Sequence, residues 1–253
     1  MAKRVILHIG FHKTGSSALQ VFLATNAERL AAAGIGYPYP DPEHIVATGG
    51  CSGNAVQVLY RGGFMDGFNQ CLEVPAKRLS EAYFDALAKV IEAVPQHTAL
   101  VSGEILGLAS HKHMTYFVGN LRLNHDVKIV CFVRDPFDFV FSVWRQRFKD
   151  SSDIPTFAAF LDGILDGTEK APSMLGSFRS FHSLGLPLTV LNFDHHRRNI
   201  VDPFLRAIGA ESLIGQVEMT TVREANRSLT PSEACLAVLV NEKMGLHQIE
   251  WVN

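Results

Sequence analysis

The residues of this chain best suited to chemistry begin at Gly10 and run to Ser17: Gly10, His12, Lys13, Thr14, Gly15, Ser16 and Ser17. Gly10 and Gly15 have the spacing of the phosphate-binding pattern G-x-x-x-x-G-K-[ST], but Ser16 stands where that pattern has its lysine, and Ser17 follows. The lysine has moved inside the loop, to Lys13. Backbone N–H groups of such a loop, ahead of a helix N-terminus, bind an anion whatever the side-chain charge. The hydroxyls of Ser16 and Ser17 add donors, and Lys13 adds a point charge. The plainer alternative is that the two glycines only shape a tight turn. Hydrolysis of a nucleoside triphosphate needs lysine at position 16, across the β- and γ-phosphates, and a magnesium-binding carboxylate on a second strand. The first is absent. Asp135 could mimic the second, but Pro136 behind it gives it a full role as a helix N-cap.

Other candidates lie further along. Arg134 ends an apolar run and offers a planar donor fork, with an ion pair to a neighbouring carboxylate as the plainer role. Glu104 falls just past the C-terminal end of an expected strand, the end at which open α/β sheets bind ligands. It is the first candidate for a general base, followed by His111 and then His44. A structural carboxylate that caps a helix or pairs with an arginine is the competing role for Glu104. His111 and His113 have H-x-H spacing but no evident third ligand, so no metal site is expected. His195-His-Arg-Arg198 reads as a solvated basic loop.

These residues need elements to hold them. Residues 4–9 form a short continuous apolar run, as in a strand covered on both faces. Leu19, Phe22, Leu23, Ala27 and Leu30 then recur at helical steps, with Gly34 as a stop. From about 35 to 75 the pattern dissolves among Pro38, Pro40, Pro42, Gly49-Gly50, Gly53 and Gly62-Gly63, with aromatics interleaved. A loop-rich insert of that length is a candidate acceptor-binding region. A helix over Leu79–Val94, a strand over Thr98–Ser102, a helix over 111–123 and a strand over Val127–Val133 follow. Asp135-Pro136 opens a helix to about Lys149. Helices are expected over 155–165, 172–183, 200–208 and 231–244, with a strand over Leu188–Phe193. Strands alternating with helices predict an α/β chain: a P-loop-like three-layer fold with a mostly parallel central sheet flanked by helices. With 253 residues, 47% of them hydrophobic, residues 1–253 are read as one domain carrying the insert.

Composition narrows the partners. A formal net charge of −2 supplies no bulk field to recruit nucleic acid or an anionic membrane. Cys51, Cys71, Cys131 and Cys235 are scattered without a C-x-x-C pair, which favours reduced thiols. The apolar stretch after Lys3-Arg4 breaks at His8, too short for a signal peptide or for the about 20 apolar residues of a membrane span. A cytoplasmic setting is the default expectation.

The segment His8-Ile-Gly-Phe-His-Lys-Thr-Gly-Ser-Ser-Ala-Leu-Gln20 resembles the 5′-phosphosulfate loop of sulfotransferases that use PAPS (3′-phosphoadenosine 5′-phosphosulfate), bacterial members in particular. Val133-Arg-Asp-Pro-Phe-Asp-Phe-Val-Phe-Ser142 is similar to the same family's 3′-phosphate motif, and the two occur in the family's order. Asn226-Arg-Ser-Leu229 resembles a third feature more weakly. The resemblance implies that Gly10, His12, Lys13, Thr14, Gly15, Ser16 and Ser17 hold the phosphosulfate. Arg134 and Ser142 would hold the 3′-phosphate, and Arg227 would lie near the nucleotide. It implies sulfuryl transfer to a hydroxyl or amine of a carbohydrate, lipid or other small molecule, leaving adenosine 3′,5′-bisphosphate and using no metal. Lys13 would neutralise charge on the bridging oxygen, and Glu104 or His111 would take the acceptor's proton. The rival expectations are a P-loop small-molecule kinase and a nucleotide-binding relative without turnover. Acceptor identity and oligomeric state are not legible.

Overall fold

Val5 to Gly10 are all buried, as a strand with helices on both faces requires. The computed structural model describes residues 2–11, 13–39, 54–60, 78–150, 155–168, 179, 181–217, 232–234, 236 and 238–239. Expectations for His12, His44, Arg223, Asn226 and Arg227 lie outside these residues, as does most of what was expected over 35–75, 172–183 and 231–244.

The chain divides into two units, Met1–Val133 with Met174–Arg223, and Arg134–Ser173 with Glu224–Asn253. The first is built on a sheet of β1 (Arg4–Gly10), β2 (Ile35–Gly36), β3 (Thr98–Gly103), β4 (Asp126–Val133) and β5 (Leu188–Asn192), in the order β2-β3-β1-β4-β5. All its pairings are parallel. β1 lies between β3 and β4, with Ile9 opposite Gly103 and Cys131, and Gly10 opposite Phe132. The C-terminal ends of three strands therefore lie level. The chain leaving β1 goes on to β2 and the chain leaving β4 goes on to β5, so the strand order reverses between β1 and β4 at these ends.

Alternation along β1 assigns its side chains to two cores. Val5, Leu7 and Ile9 pack with α4 (Glu81–Ala93) and α5 (His111–Arg122) through Phe84, Leu87, Ile91, Phe117 and Leu121. Ile6 faces the other way, onto Leu19, Phe22 and Leu23 of α1 (Ser16–Thr25), Leu30 of α2 (Ala27–Ala32) and Phe204 and Leu205 of α9 (Val201–Ile208). Each such aliphatic side chain, removed fully from water, contributes about 2 kcal/mol before entropy is subtracted. The result is a three-layer α/β arrangement, as expected.

Local expectations differ from the structure in four places. The single helix expected from Leu19 through Leu30 is two: Asn26 turns its Nδ2 onto the Phe22 carbonyl at 3.0 Å and the helix restarts at Ala27. The stretch expected to be featureless contains β2, too short to have a period, and α3 (Ala55–Tyr60). Asn54 Oδ1 caps α3 by accepting from Gln57 N at 3.1 Å, and Ala55, Val56 and Leu59 bury its inner face. Tyr37, expected among loop aromatics, is part of the core beside Ile35. The strand expected to reach Phe193 ends at Asn192, whose Oδ1 accepts from His195 N at 3.0 Å and starts α8 (Phe193–His196).

The second unit contains α6 (Pro136–Asp150) and α7 (Phe157–Asp166). Asp135 Oδ1 accepts from Phe137 N at 2.9 Å and Asp138 N at 3.1 Å, which is the expected N-cap with Pro136 as first helical residue. Trp144, Phe160, Ala234 and Val238 form its core. The Trp144 indole N–H donates to the Pro155 carbonyl at 2.9 Å. Among the described residues no helix is long and apolar enough to cross a membrane.

Candidate functional site

β1 delivers the chain at Gly10 into a turn with two left-handed residues, Lys13 (φ 64°) and Gly15 (φ 74°). For Gly15 that conformation costs little; a Cβ there would also lie 2.9 Å from both Ile200 Cδ1 and Phe193 Cε2. For Lys13 it is strained, and strain of this kind concentrates where a backbone must present itself to a ligand. The Thr14 hydroxyl is buried and donates to the Phe11 carbonyl at 2.6 Å, tying the loop to its entry strand. Gly15 is the N-cap of α1 and uses no side-chain cap, and Leu19 N donates to its carbonyl at 3.0 Å. The free end of α1 is thus formed by backbone N–H groups behind a glycine, with Ser17 exposed and Ser16 buried.

Ser16 and Glu104 meet here. The Ser16 hydroxyl donates to Glu104 Oε1. Glu104 begins the 3-10 turn Glu104–Leu108 that follows β3, and it comes beside the loop because β3 and β1 are sheet neighbours. Gly10 leaves room for the pair: a Cβ at Gly10 would lie 2.7 Å from Ser16 Cβ and 3.2 Å from Glu104 Cγ. Two residues before Glu104, in β3, the Ser102 hydroxyl pairs with His8 Nδ1 at 2.7 Å. His8 is fully buried, edge-on to the rings of Phe132 and Phe204, and its Nε2 has no hydrogen-bond partner among the described residues. Burial pushes its pKa down from 6.5 to about 4, opposed in part by the Glu104 charge, so it is neutral near pH 7. Sequence reasoning placed His8 in a strand without a role. Its polarity in an apolar run was the available signal.

The remaining expectations have these positions. His111 is the exposed first residue of α5, behind the N-cap Ser110. The neighbouring His113 packs near the Phe84 ring at 6.1 Å. Among the described residues no group of three or more His, Cys, Asp or Glu is arranged to hold a metal ion. α3 abuts the approach to Glu104, since the Val56 side chain occupies the space a Cβ on Gly103 would need.

In the second unit, Arg134 and Ser142 come together. Arg134 Nη1 donates to Ser142 Oγ at 2.8 Å, and Nη2 is 3.8 Å from Asp138 Oδ2. Arg134 is thus paired with a hydroxyl and a carboxylate, both on the helix that follows it. Ser142 is 4% exposed. Arg145, not picked out from the sequence, lies one turn beyond Ser142, with its guanidinium 5.0 Å from the Phe141 ring centroid. Its pKa is lowered by burial first and by the Arg134 charge second, so the two guanidinium groups lie near enough to repel. An i, i+3 step from Ser142 was the signal available for it.

No protein-family model matches this chain, nor does any curated protein sequence. Among solved structures it is similar to a retinol dehydratase in complex with androsterone and the inactive cofactor PAP, with a TM-score of 0.37 and 12% identity, over 98% of this chain and 67% of that one.

Proposed function

We propose that the chain is a PAPS-dependent sulfotransferase that moves a sulfuryl group to a hydroxyl or amine of a small-molecule acceptor. The observation that carries the reading is the loop itself. Left-handed Lys13 and Gly15 turn β1 into α1, with a serine at the triphosphatase lysine position. Such a loop binds the 5′-phosphate end of a nucleotide and lacks the group that spans a β–γ bond. The Arg134–Ser142 pair adds the donors that a 3′-phosphate needs.

The donor supplies a sulfur centre whose bond to a phosphate oxygen breaks as the acceptor oxygen or nitrogen attacks in line. The electron pair of the broken bond remains on that phosphate oxygen, giving adenosine 3′,5′-bisphosphate. Lys13 neutralises the negative charge that grows there. Glu104 takes the acceptor's proton, with His111 next in line for that role. The loop N–H groups with Ser16 and Ser17 hold the 5′ end, and Arg134 with Ser142 holds the 3′ end. His12, Thr14 and Arg227 complete the proposed nucleotide contacts, and the segment at about 35–75 is the proposed acceptor side.

Calorimetry tests this directly. Adenosine 3′,5′-bisphosphate without metal should bind more tightly than ATP with magnesium. A preference for ATP with magnesium would replace the reading with that of a small-molecule kinase.

A further inference from the structure

Ser16 has one hydroxyl proton, and it goes to Glu104. A hydroxyl donates a single hydrogen bond at a time. Ser16 is 2% exposed and opens α1, so it has no other orientation toward bulk water to fall back on. An oxygen of a phosphate group seated in the loop would need the same proton. The carboxylate and the phosphate would also repel one another at that range. The fold holds the Ser16–Glu104 contact in place through β1–β3 pairing and through the absence of a side chain at Gly10. His8 of β1 lies close enough to feel the charge on Glu104.

We propose that Glu104 is a built-in competitor for the phosphate loop: it holds the Ser16 hydroxyl until a nucleotide's 5′-phosphate group takes that hydroxyl, and the exchange releases the carboxylate to act as a base. Donor binding and base availability are thereby one event. A carboxylate that loses a hydrogen-bond donor and gains an adjacent anion binds protons more strongly. Glu104 would thus become a competent base only once the sulfuryl donor is in position, which discourages proton removal from an acceptor that has nothing to react with. The inference rests on the sulfotransferase reading for the base role of Glu104 and for the choice of nucleotide; the competition for Ser16 does not.

The test is a double-mutant cycle on the full chain, read as calorimetric affinity for adenosine 3′,5′-bisphosphate in wild type, Ser16→Ala, Glu104→Ala and the double variant. Glu104→Ala should bind about tenfold more tightly than wild type. Ser16→Ala should cost about threefold or less with Glu104 present and about tenfold in its absence, because only then is the hydroxyl committed to the ligand. Glu104→Gln, which keeps an acceptor oxygen without the charge, should fall between wild type and Glu104→Ala, and it guards against misfolding of the alanine variant. Equal effects of Ser16→Ala in both backgrounds, or weaker binding by both Glu104 variants, would overturn the proposal. If the bisphosphate does not bind wild type while ATP with magnesium does, the sulfotransferase reading fails. The same cycle run with ATP then decides the competition separately.

Discussion

His8 offers a quantitative check on the polar groups behind the loop. It is wholly buried between Phe132 and Phe204, with its pKa moved down from 6.5 to about 4 chiefly by burial. In the unfolded chain the imidazole takes up a proton near pH 6.5; in the fold it does so only near pH 4. The unfolded state therefore binds more protons between these values, and stability is fully present above pH 6.5 and is lost as pH falls toward 4. With those two constants the loss is about 2 kcal/mol by pH 5 and about 3 kcal/mol by pH 4. His8→Asn places an amide where Nδ1 met Ser102 and cannot titrate. It should be less stable than wild type at pH 8, through the lost ring, but should lack this part of the acid slope. Urea denaturation at pH 8, 6.5, 5 and 4 measures it. Far-UV circular dichroism is the suitable probe, since Trp144 reports on the second unit. Carboxylates elsewhere act equally in both proteins and cancel in the difference. Parallel curves for the two proteins across the whole range would refute the assignment of a buried neutral His8.

Gly15→Ala combines a left-handed φ of 74° with a Cβ 2.9 Å from Ile200 and Phe193. It should cost roughly 2–4 kcal/mol, measured as a lower urea midpoint, and should weaken nucleotide binding with it. Arg134→Ala should weaken adenosine 3′,5′-bisphosphate binding by roughly 10- to 100-fold while leaving adenosine 5′-monophosphate within about threefold. An equal loss for both nucleotides in calorimetry would remove Arg134 from recognition of the 3′-phosphate.

Much of the loop's setting was legible because it is local. The apolar run Val5-Ile-Leu-His-Ile9 can only be a covered strand, and Gly15 sits where a left-handed turn into a helix requires glycine. Asp135-Pro136 announced a helix start from two adjacent residues. The Ser16–Glu104 pair was not legible. Its partners are brought together by the β1–β3 pairing, which depends on strand order across the sheet rather than on either segment's own pattern. The His8–Ser102 contact is hidden for the same reason. α3 was missed because its six residues are flanked by proline- and glycine-rich chain, and its cap, Asn54, is as much at home in a turn as at a helix start. Nor does linker-like composition mark the step from Val133 to Arg134, where the chain passes from one unit to the other.

The core of the second unit has a consequence for the order in which the chain matures. Trp144 and Phe160 come from the stretch between β4 and β5, but Ala234 and Val238 come from beyond β5. During synthesis the strands described for the sheet have all emerged with β5, whereas Trp144 must wait for the later segment to cover it. Until then a nascent chain carries an exposed indole and phenyl ring, the kind of surface that recruits chaperones. Non-local closure of this sort makes the Arg134-bearing unit the late and vulnerable step in assembly, and sequence changes around Ala234 should be felt first in the yield of folded protein.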